Sequence, residues 1–316
     1  MKRHFENYQG YVMPKLLPSI KNLPVAAKLF GGFAVLIVII ILSSLINIQQ
    51  SLSIRDHALK GKLIEEINTE LNTARRNRLT YQLSHDEKSL LAIKTAIENM
   101  GQKTIIGQSF KWDNDARILF DDLRTEIPSY ATHRETFVKL EQITVKKSEE
   151  LTSPNLKKLL AQFSNHLEQQ ESISKNEAAL LNRLNNIWAA AYDIQSTSGK
   201  QGMDIFEDQY DEATRLVNAD NVNLNTEYKE MAQSFLKGMH ESIAAYTYAL
   251  TQSQNAATEL TAVAEKINTI TNDLVTGQTQ KNIDIIQRVM IIMAVVAACA
   301  VLTGLLVCLL YTSPSP

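Results

Sequence analysis

The most regular pattern in the sequence is an apolar stripe that recurs every three or four residues along the last third of the chain. It includes Leu260, Val263, Ile267, Ile270 and Leu274, and this spacing is typical of a helix in a bundle or coiled coil. The sequence therefore predicts one long helix that starts near residue 222. Upstream, with no intervening proline, the stripe also includes Tyr228, Met231, Phe235, Met239, Ile243, Tyr246 and Leu250.

Two apolar runs without any charge flank the central part of the chain. The run at 289–310 measures roughly 33 Å as a helix, which is enough to cross a bilayer core. The first run follows a basic leader, residues 1–28, and lacks the small-residue cleavage site of a secretory signal peptide. We therefore expect an uncleaved span at 29–47 and a second span at 289–310. The basic leader places the N-terminus in the cytoplasm and residues 48–288 outside it.

Helix-breaking residues are scarce between the two runs. Residues 48–288 contain only two prolines, Pro128 and Pro154, which favours an all-α fold. Both cysteines, Cys299 and Cys308, lie in the second run, so the aqueous part has neither a disulfide nor a thiol catalyst, as suits a periplasm. The net charge of −2 gives no reason to expect a nucleic-acid partner.

Turn signals divide the aqueous part into helices. A third helix begins near Asp113, and Pro128 should kink it rather than end it. Gly101 and Gly107 bracket a predicted loop. The first aqueous helix is predicted to end near 84–86. Three other predicted helices cover residues 87–100, 175–198 and 203–218.

The segment around Pro154 allows two interpretations: a turn, or a second kink with Pro154 near the start of a new helical segment. Helix height argues against a turn, because an unbroken helix over 222–288 is roughly 100 Å long. The third helix must continue past Pro154 to about Ser172 to match that length. We therefore predict two stacked four-helix bundles that share two long helices.

Two segments carry a family resemblance. Lys28-Leu29-Phe30-Gly31-Gly32-Phe33 resembles the opening of the first span of methyl-accepting chemotaxis receptors. The segment from Ala74 to Glu87, ARRNRLTYQLSHDE, resembles the first-helix end of helical bimodular sensor domains. The resemblance covers residues 28–310. It implies a homodimeric, two-pass protein of the bacterial inner membrane that senses small organic acids or related metabolites through two stacked four-helix bundles.

The C-terminal residues 308–316, CLLYTSPSP, look like a translated sequencing-library adapter, and the alternative is a native polar tail. We expect the native chain to continue past Val307 into a cytoplasmic signalling region. A chemoreceptor output is the main hypothesis. The same input end also suits a sensor histidine kinase or a cyclic-dinucleotide enzyme, and a membrane-anchored helical scaffold without a ligand remains an alternative.

Basic residues near the end of the first aqueous helix are the first candidate ligand contacts. Extending its inner face places Arg78 and Tyr81 towards the bundle interior, and Arg75 lies three residues from Arg78 on the same side. A guanidinium in a bundle is costly unless an anion satisfies it. A small carboxylate ligand would do so, and so would a Glu or Asp of a neighbouring helix. Arg76 is expected at the surface.

A second candidate group lies within the predicted helix 175–198. Arg183, Trp188 and Tyr192 combine a cation with aromatic rings, which can line a small polar pocket. The alternative is that Trp188 and Tyr192, four residues apart, are core aromatics. Tyr246 and Tyr248 of the last helix are further pocket candidates.

Catalytic patterns are absent from the sequence: it has no phosphate-binding loop, no paired metal-ligand motif on one helix face and no nucleophile elbow. We therefore expect neither an enzyme nor a metal or cofactor site. The expected partners are a small-molecule ligand, the membrane and a second copy of the chain.

Overall fold

The computed structural model describes residues 24–169, 173–199, 201–219, 224 and 226–312. Nearly all of these residues are α-helical and none of them forms a strand, so the predicted all-α class is confirmed. Most of the basic leader, residues 1–23, lies outside the described residues. The last four residues, 313–316, do so as well.

Seven helices account for the described chain. Two of them, the first and the last, are far longer than the others and contain the apolar runs. The helices are α1 Val25–Ser84, α2 Glu87–Gly107, α3 Asn114–Leu151, α4 Pro154–Glu168, α5 Lys175–Ser196, α6 Met203–Asn218 and α7 Thr226–Thr312.

Polar caps explain where several helices begin. The side chain of Asp86 accepts a hydrogen bond from the Ser89 amide, and Asp113 does the same for the Ala116 amide. Each cap satisfies one of the amides that a helix start leaves without an internal partner. The predicted boundaries at 84–86 and near Asp113 are therefore confirmed. The predicted helix 203–218 also coincides with α6.

The prediction that a loop begins at Gly101 is wrong, because α2 continues to Gly107. Its buried face includes Met100, Thr104 and Gly107, so the apolar spacing of the helix persists beyond Gly101. A glycine in a helix interior costs only about 1 kcal/mol relative to alanine. Packing along the extra turns outweighs that preference.

The prediction that one helix continues past Pro154 to Ser172 is also wrong. Helix α3 ends at Leu151, and α4 begins at Pro154 with Ser153 as its N-cap. Proline suits the first helical position, because the amide that it lacks would have no partner there. This local preference decides the outcome, and matching helix lengths gave the wrong result. Pro128, in contrast, lies inside α3 as predicted.

The chain divides into two compact units, of which the first contains the described residues 24–64 and 274–312. This terminal unit holds the apolar ends of α1 and α7, and both helices are long and apolar enough to cross a membrane. Their large apolar side chains are exposed, including Phe30, Ile40, Ile291 and Val301. Outside the apolar runs, the two helices meet at His57, whose Nδ1 lies 2.7 Å from Oε1 of the buried Gln278.

The second unit, residues 65–273, contains the remaining helices and a contiguous apolar core. That core takes side chains from the end of α3 and from α4, α5, α6 and α7. The predicted stripe of α7 supplies its fully buried members Phe235 and Met239, and farther along α7 the stripe residues Leu260 and Ile267 are also buried. The stripe prediction is therefore confirmed for the central unit.

Side-chain contacts also link α1, α2, α3 and α7 within the central unit. Asn99 of α2 donates to Glu70 of α1 at 3.2 Å, and Lys266 of α7 pairs with Glu126 of α3 at 2.5 Å. The first contact joins α2 to α1 and the second joins α7 to α3, while an ion pair between Arg75 and Glu265 joins α1 to α7. The stacking of two complete four-helix bundles stays a prediction.

Candidate functional site

Arg78 of α1 is half-buried among neighbouring helices, on the inner side that its spacing predicts. Its Nη1 donates to the Ala257 carbonyl at 3.1 Å and to the Thr261 hydroxyl at 2.7 Å, both on α7. Its Nε is buried and has no hydrogen-bond partner. No described carboxylate forms an ion pair with Arg78, so the positive charge is held by neutral groups alone.

Arg75 has a different environment from Arg78. It forms an ion pair with Glu265 of α7 at the protein surface. Pairing with a carboxylate of a neighbouring helix was one of the two alternatives that the sequence left open. Arg76 is exposed, in line with the prediction. A carboxylate of the protein therefore neutralises Arg75, while Arg78 remains without one among the described residues.

Two residues of α3 extend this site beyond the sequence prediction. Tyr130 is fully buried, and its hydroxyl has no hydrogen-bond partner. Arg134, one turn farther along α3, donates from Nη2 to the Leu90 carbonyl at 3.2 Å, and its Nε is buried without a partner. Buried polar atoms are nearly always hydrogen-bonded. Three unsatisfied donors near each other are therefore an unusual feature, and we call Arg78, Tyr130 and Arg134 the arginine–tyrosine cluster.

Burial has the largest influence on the pKa values in the cluster. Burial raises the pKa of Tyr130, and the positive charges of Arg78, Arg75 and Arg134 partly oppose that rise. Burial lowers the pKa of Arg78, Tyr130 opposes the change, and Arg75 adds to it. These effects place the Tyr130 phenol within electrostatic reach of Arg78, Arg75 and Arg134. An anion placed among them would reduce the cost of burying the charge.

Tyr81, the third predicted residue of this group, lies beside the cluster. It is almost fully buried, and its ring packs edge-on against Phe137 at a centroid distance of 6.5 Å. Burial raises the pKa of Tyr81, Glu141 adds to that rise, and Arg134 opposes it. Glu141 itself is engaged, because it accepts from Ser253 and lies 3.1 Å from His85 Nε2.

The second predicted group, Arg183, Trp188 and Tyr192, contacts other side chains of the protein. Arg183 donates from Nη1 to the Gln209 side chain at 2.8 Å. Trp188 packs on the core near Phe235 at a centroid distance of 6.5 Å, and Tyr192 is 54% exposed. Trp188 and Tyr192 touch each other edge-on at 6.1 Å. Arg183 is thus bonded to protein.

Arg134 and Tyr130 were not among the predicted site residues. The signal was available in part, because Arg134 follows Tyr130 by four residues and precedes the buried Phe137 by three. Those positions lie on one face of α3. Among the described residues, no group of three or more His, Cys, Asp or Glu side chains is arranged to hold a metal ion.

Comparison of the sequence with protein-family models and with curated proteins finds no match.

Proposed function

We propose that this protein is the sensor portion of a bacterial transmembrane chemoreceptor, acting as a homodimer in the inner membrane. In this proposal, residues 48–288 lie outside the cytoplasm and bind a small organic acid between helices. Binding displaces α7, and the displacement passes through the second membrane span to a cytoplasmic signalling domain.

The observation that carries the proposal is the arginine–tyrosine cluster. Two half-buried guanidiniums and a buried phenol have donors without acceptors, and none of the three groups is paired with a described carboxylate. A carboxylate ligand offers acceptor oxygens to a guanidinium and to a phenol at the same time. Charge-assisted hydrogen bonds of this kind are roughly twice as strong as neutral ones. An organic acid is therefore the ligand class that best fits the cluster.

Two features support a signalling role for that ligand. Arg78 bonds to Ala257 and Thr261, so an anion that draws the guanidinium away would change a contact with α7. Helix α7 is a single helix from Thr226 to Thr312 and includes an apolar run long enough for a membrane. A ligand shifts such an equilibrium only as far as its affinities for the two states differ.

Binding titrations of the full chain in lipid nanodiscs test the ligand part. We expect at least one acid from a panel of C2–C6 mono- and dicarboxylates to bind the unmodified protein, and Arg78→Ala to weaken that binding at least about tenfold. Arg76→Ala is the matched control and should leave affinity unchanged, because Arg76 is exposed. Equal affinity of the Arg78→Ala protein, or no acid bound, would overturn the proposal.

Cross-linking tests the signalling part separately. In the terminal unit, Asn47 of α1 donates to the Met293 sulfur of α7 at 3.3 Å. Cysteines placed at these two positions, in a background with Cys299 and Cys308 changed to serine, should form a disulfide. The bound acid should change the rate of disulfide formation, and the rate in the Arg78→Ala background should not respond. If the acid binds but does not change the rate of disulfide formation, the proposed signalling role is wrong and the proposed binding site stands.

A further inference from the structure

A cavity lies between α6 and α7, and the charge of its side chains is opposite to that of the arginine–tyrosine cluster. Its volume is about 540 Å³, and it is open on one side. The floor is apolar and includes the buried Phe206 and Ile243. The volume falls in the range of pockets for small molecules.

Aromatic rings form one continuous surface in this cavity. Phe206 and Tyr210 of α6 are stacked, with ring centroids 5.7 Å apart and planes at 21°. Tyr210 stacks in turn on His240 of α7, with centroids 4.9 Å apart and planes at 27°. Tyr248 stands at the rim and is 70% exposed. The faces of phenyl and phenol rings carry partial negative charge, which attracts cations.

Two carboxylates border the same cavity. Glu207 and Asp211 lie four residues apart on α6 and both line it, so they share one helix face. Neither forms an ion pair with any residue that the structure describes. Other carboxylates nearby are engaged: Glu212 pairs with Arg215 at 2.5 Å, and Asp208 accepts from Gln209 at 2.8 Å.

None of the described residues that border the cavity is Lys or Arg, and His240 is the one basic side chain among them. Lys237 belongs to the neighbouring hollow, where it lies 4.0 Å from Glu241. The cavity thus combines an apolar floor, stacked rings and two carboxylates without an ion-pair partner, and its described lining contains neither Lys nor Arg.

We propose that the α6–α7 cavity binds a small organic cation, a substituted ammonium with an apolar body. The alkyl groups would cover Phe206 and Ile243, the charged nitrogen would lie against the open parts of the Tyr210 and Tyr248 rings, and Glu207 and Asp211 would supply the counter-charge. An ammonium over an aromatic ring is stabilised further where water is partly excluded. This site is independent of the organic-acid site and holds whether or not the chain signals.

Calorimetric titration of the full chain in nanodiscs of uncharged lipid tests the proposal with one matched pair of probes. Choline carries a quaternary ammonium, and 3,3-dimethyl-1-butanol has the same shape with a neutral carbon in place of the nitrogen. We expect choline to bind with a Kd below about 10 mM, and the neutral analogue to bind at least about tenfold more weakly. Equal binding of the two probes, or no choline binding, would overturn the proposal.

Two double variants of α6 locate the site. Glu207→Gln with Asp211→Asn removes the two lining charges and should weaken choline binding at least about tenfold. Asp204→Asn with Glu212→Gln removes the same number of charges from the same helix outside the cavity, and should change the affinity by less than about twofold. Similar losses in both variants would show that choline responds only to net charge, and would overturn the site.

A pair of single variants tests the ring. Tyr210→Phe keeps the aromatic face and should retain choline binding, whereas Tyr210→Leu keeps an apolar side chain and should lose most of it. The circular dichroism of both variants shows whether α6 is intact. Retained binding in a folded Tyr210→Leu protein would exclude the ring as the cation contact.

Discussion

The arginine–tyrosine cluster and the α6–α7 cavity are opposite solutions to the problem of holding charge in a helical protein. In the cluster, Arg78 and Arg134 are half-buried and their charges have no described carboxylate partner. In the cavity, Glu207 and Asp211 are exposed at the rim of an apolar groove. The first site confines charge among helices, and the second leaves charge in contact with water.

The difference in burial predicts a difference in energetics. A charge that has lost water depends strongly on the next polar group it meets, because the local dielectric is low. A charge that keeps its water gains less from a partner and is screened by salt. An acid in the cluster should therefore bind with a larger loss on mutation than a cation in the cavity, and with a weaker dependence on ionic strength.

The largest expected effect comes from removing both guanidiniums of the cluster. Arg78→Met with Arg134→Met should weaken acid binding at least about thirtyfold, because truncating one side of a buried charge pair costs about 2–5 kcal/mol. The choline affinity of the cavity should change by less than about twofold. Calorimetric titration of each protein with the acid and with choline measures both affinities. In the variant Glu207→Gln with Asp211→Asn, choline binding should weaken and acid binding should persist. Loss of both ligands in one variant would show that the two sites are not independent.

The second effect acts through the turn before α6. Gly202 has φ +91°, and a Cβ there would lie 2.8 Å from the Ala190 carbonyl oxygen. Gly202→Ala should destabilise the protein by about 1–3 kcal/mol and should weaken choline binding, because the Gly202 carbonyl accepts from the Phe206 amide. Acid binding should persist. Denaturant unfolding monitored by circular dichroism, together with the two titrations, measures these changes.

Gly101→Ala is the matched control for the glycine prediction. Gly101 lies inside α2, and a Cβ added there meets nothing within 4 Å. Alanine favours the helix interior by about 1 kcal/mol relative to glycine, so this variant should gain stability. A loss in Gly101→Ala equal to that in Gly202→Ala would contradict the role of the positive φ.

Local patterns were enough to predict most of the fold. The stripe along α7 follows from spacing alone, since 3.6 residues per turn determines which side chains share a face. Caps such as Asp86 and Asp113 are equally local. The end of α2 was missed because packing overrides the preference of Gly101. The break before Pro154 follows from a local signal, an N-cap Ser153 followed by a proline at the first helical position. Matching the lengths of neighbouring helices does not detect that signal.

Only the part of the site that α1 contributes was predictable from the sequence. The face of α1 fixes the direction of Arg78, and that direction is written in the sequence. Whether a carboxylate of another helix meets the guanidinium depends on the register between helices, which one sequence does not reveal. Arg75 meets Glu265 and Arg78 meets Thr261, although the two arginines are one turn apart. The role of Arg134 depends on the same register.

A third prediction concerns the buried hydroxyl of Tyr130. Tyr130→Phe should leave stability unchanged or raise it by about 1 kcal/mol, since a buried hydroxyl without a partner carries a desolvation cost. The same change should weaken acid binding, because the phenol is one of the three free donors. In this one variant, the free energy of unfolding should stay the same or rise while the affinity for the acid falls. Destabilisation by more than about 1 kcal/mol would show that the hydroxyl has a partner.

The smallest expected effect is an alkaline loss of stability caused by two buried tyrosines, Tyr130 and Tyr246. Burial raises the pKa of Tyr246 and Glu141 adds to that rise, whereas guanidiniums oppose the rise at Tyr130. A raised pKa means that the unfolded state releases its proton first, so stability is complete below about pH 10 and falls as pH increases further. Tyr246→Phe and Tyr130→Phe should therefore each reduce the slope with which the unfolding free energy falls above about pH 10. Denaturant unfolding at a series of alkaline pH values measures that slope, and an unchanged slope in both variants would contradict the raised pKa values.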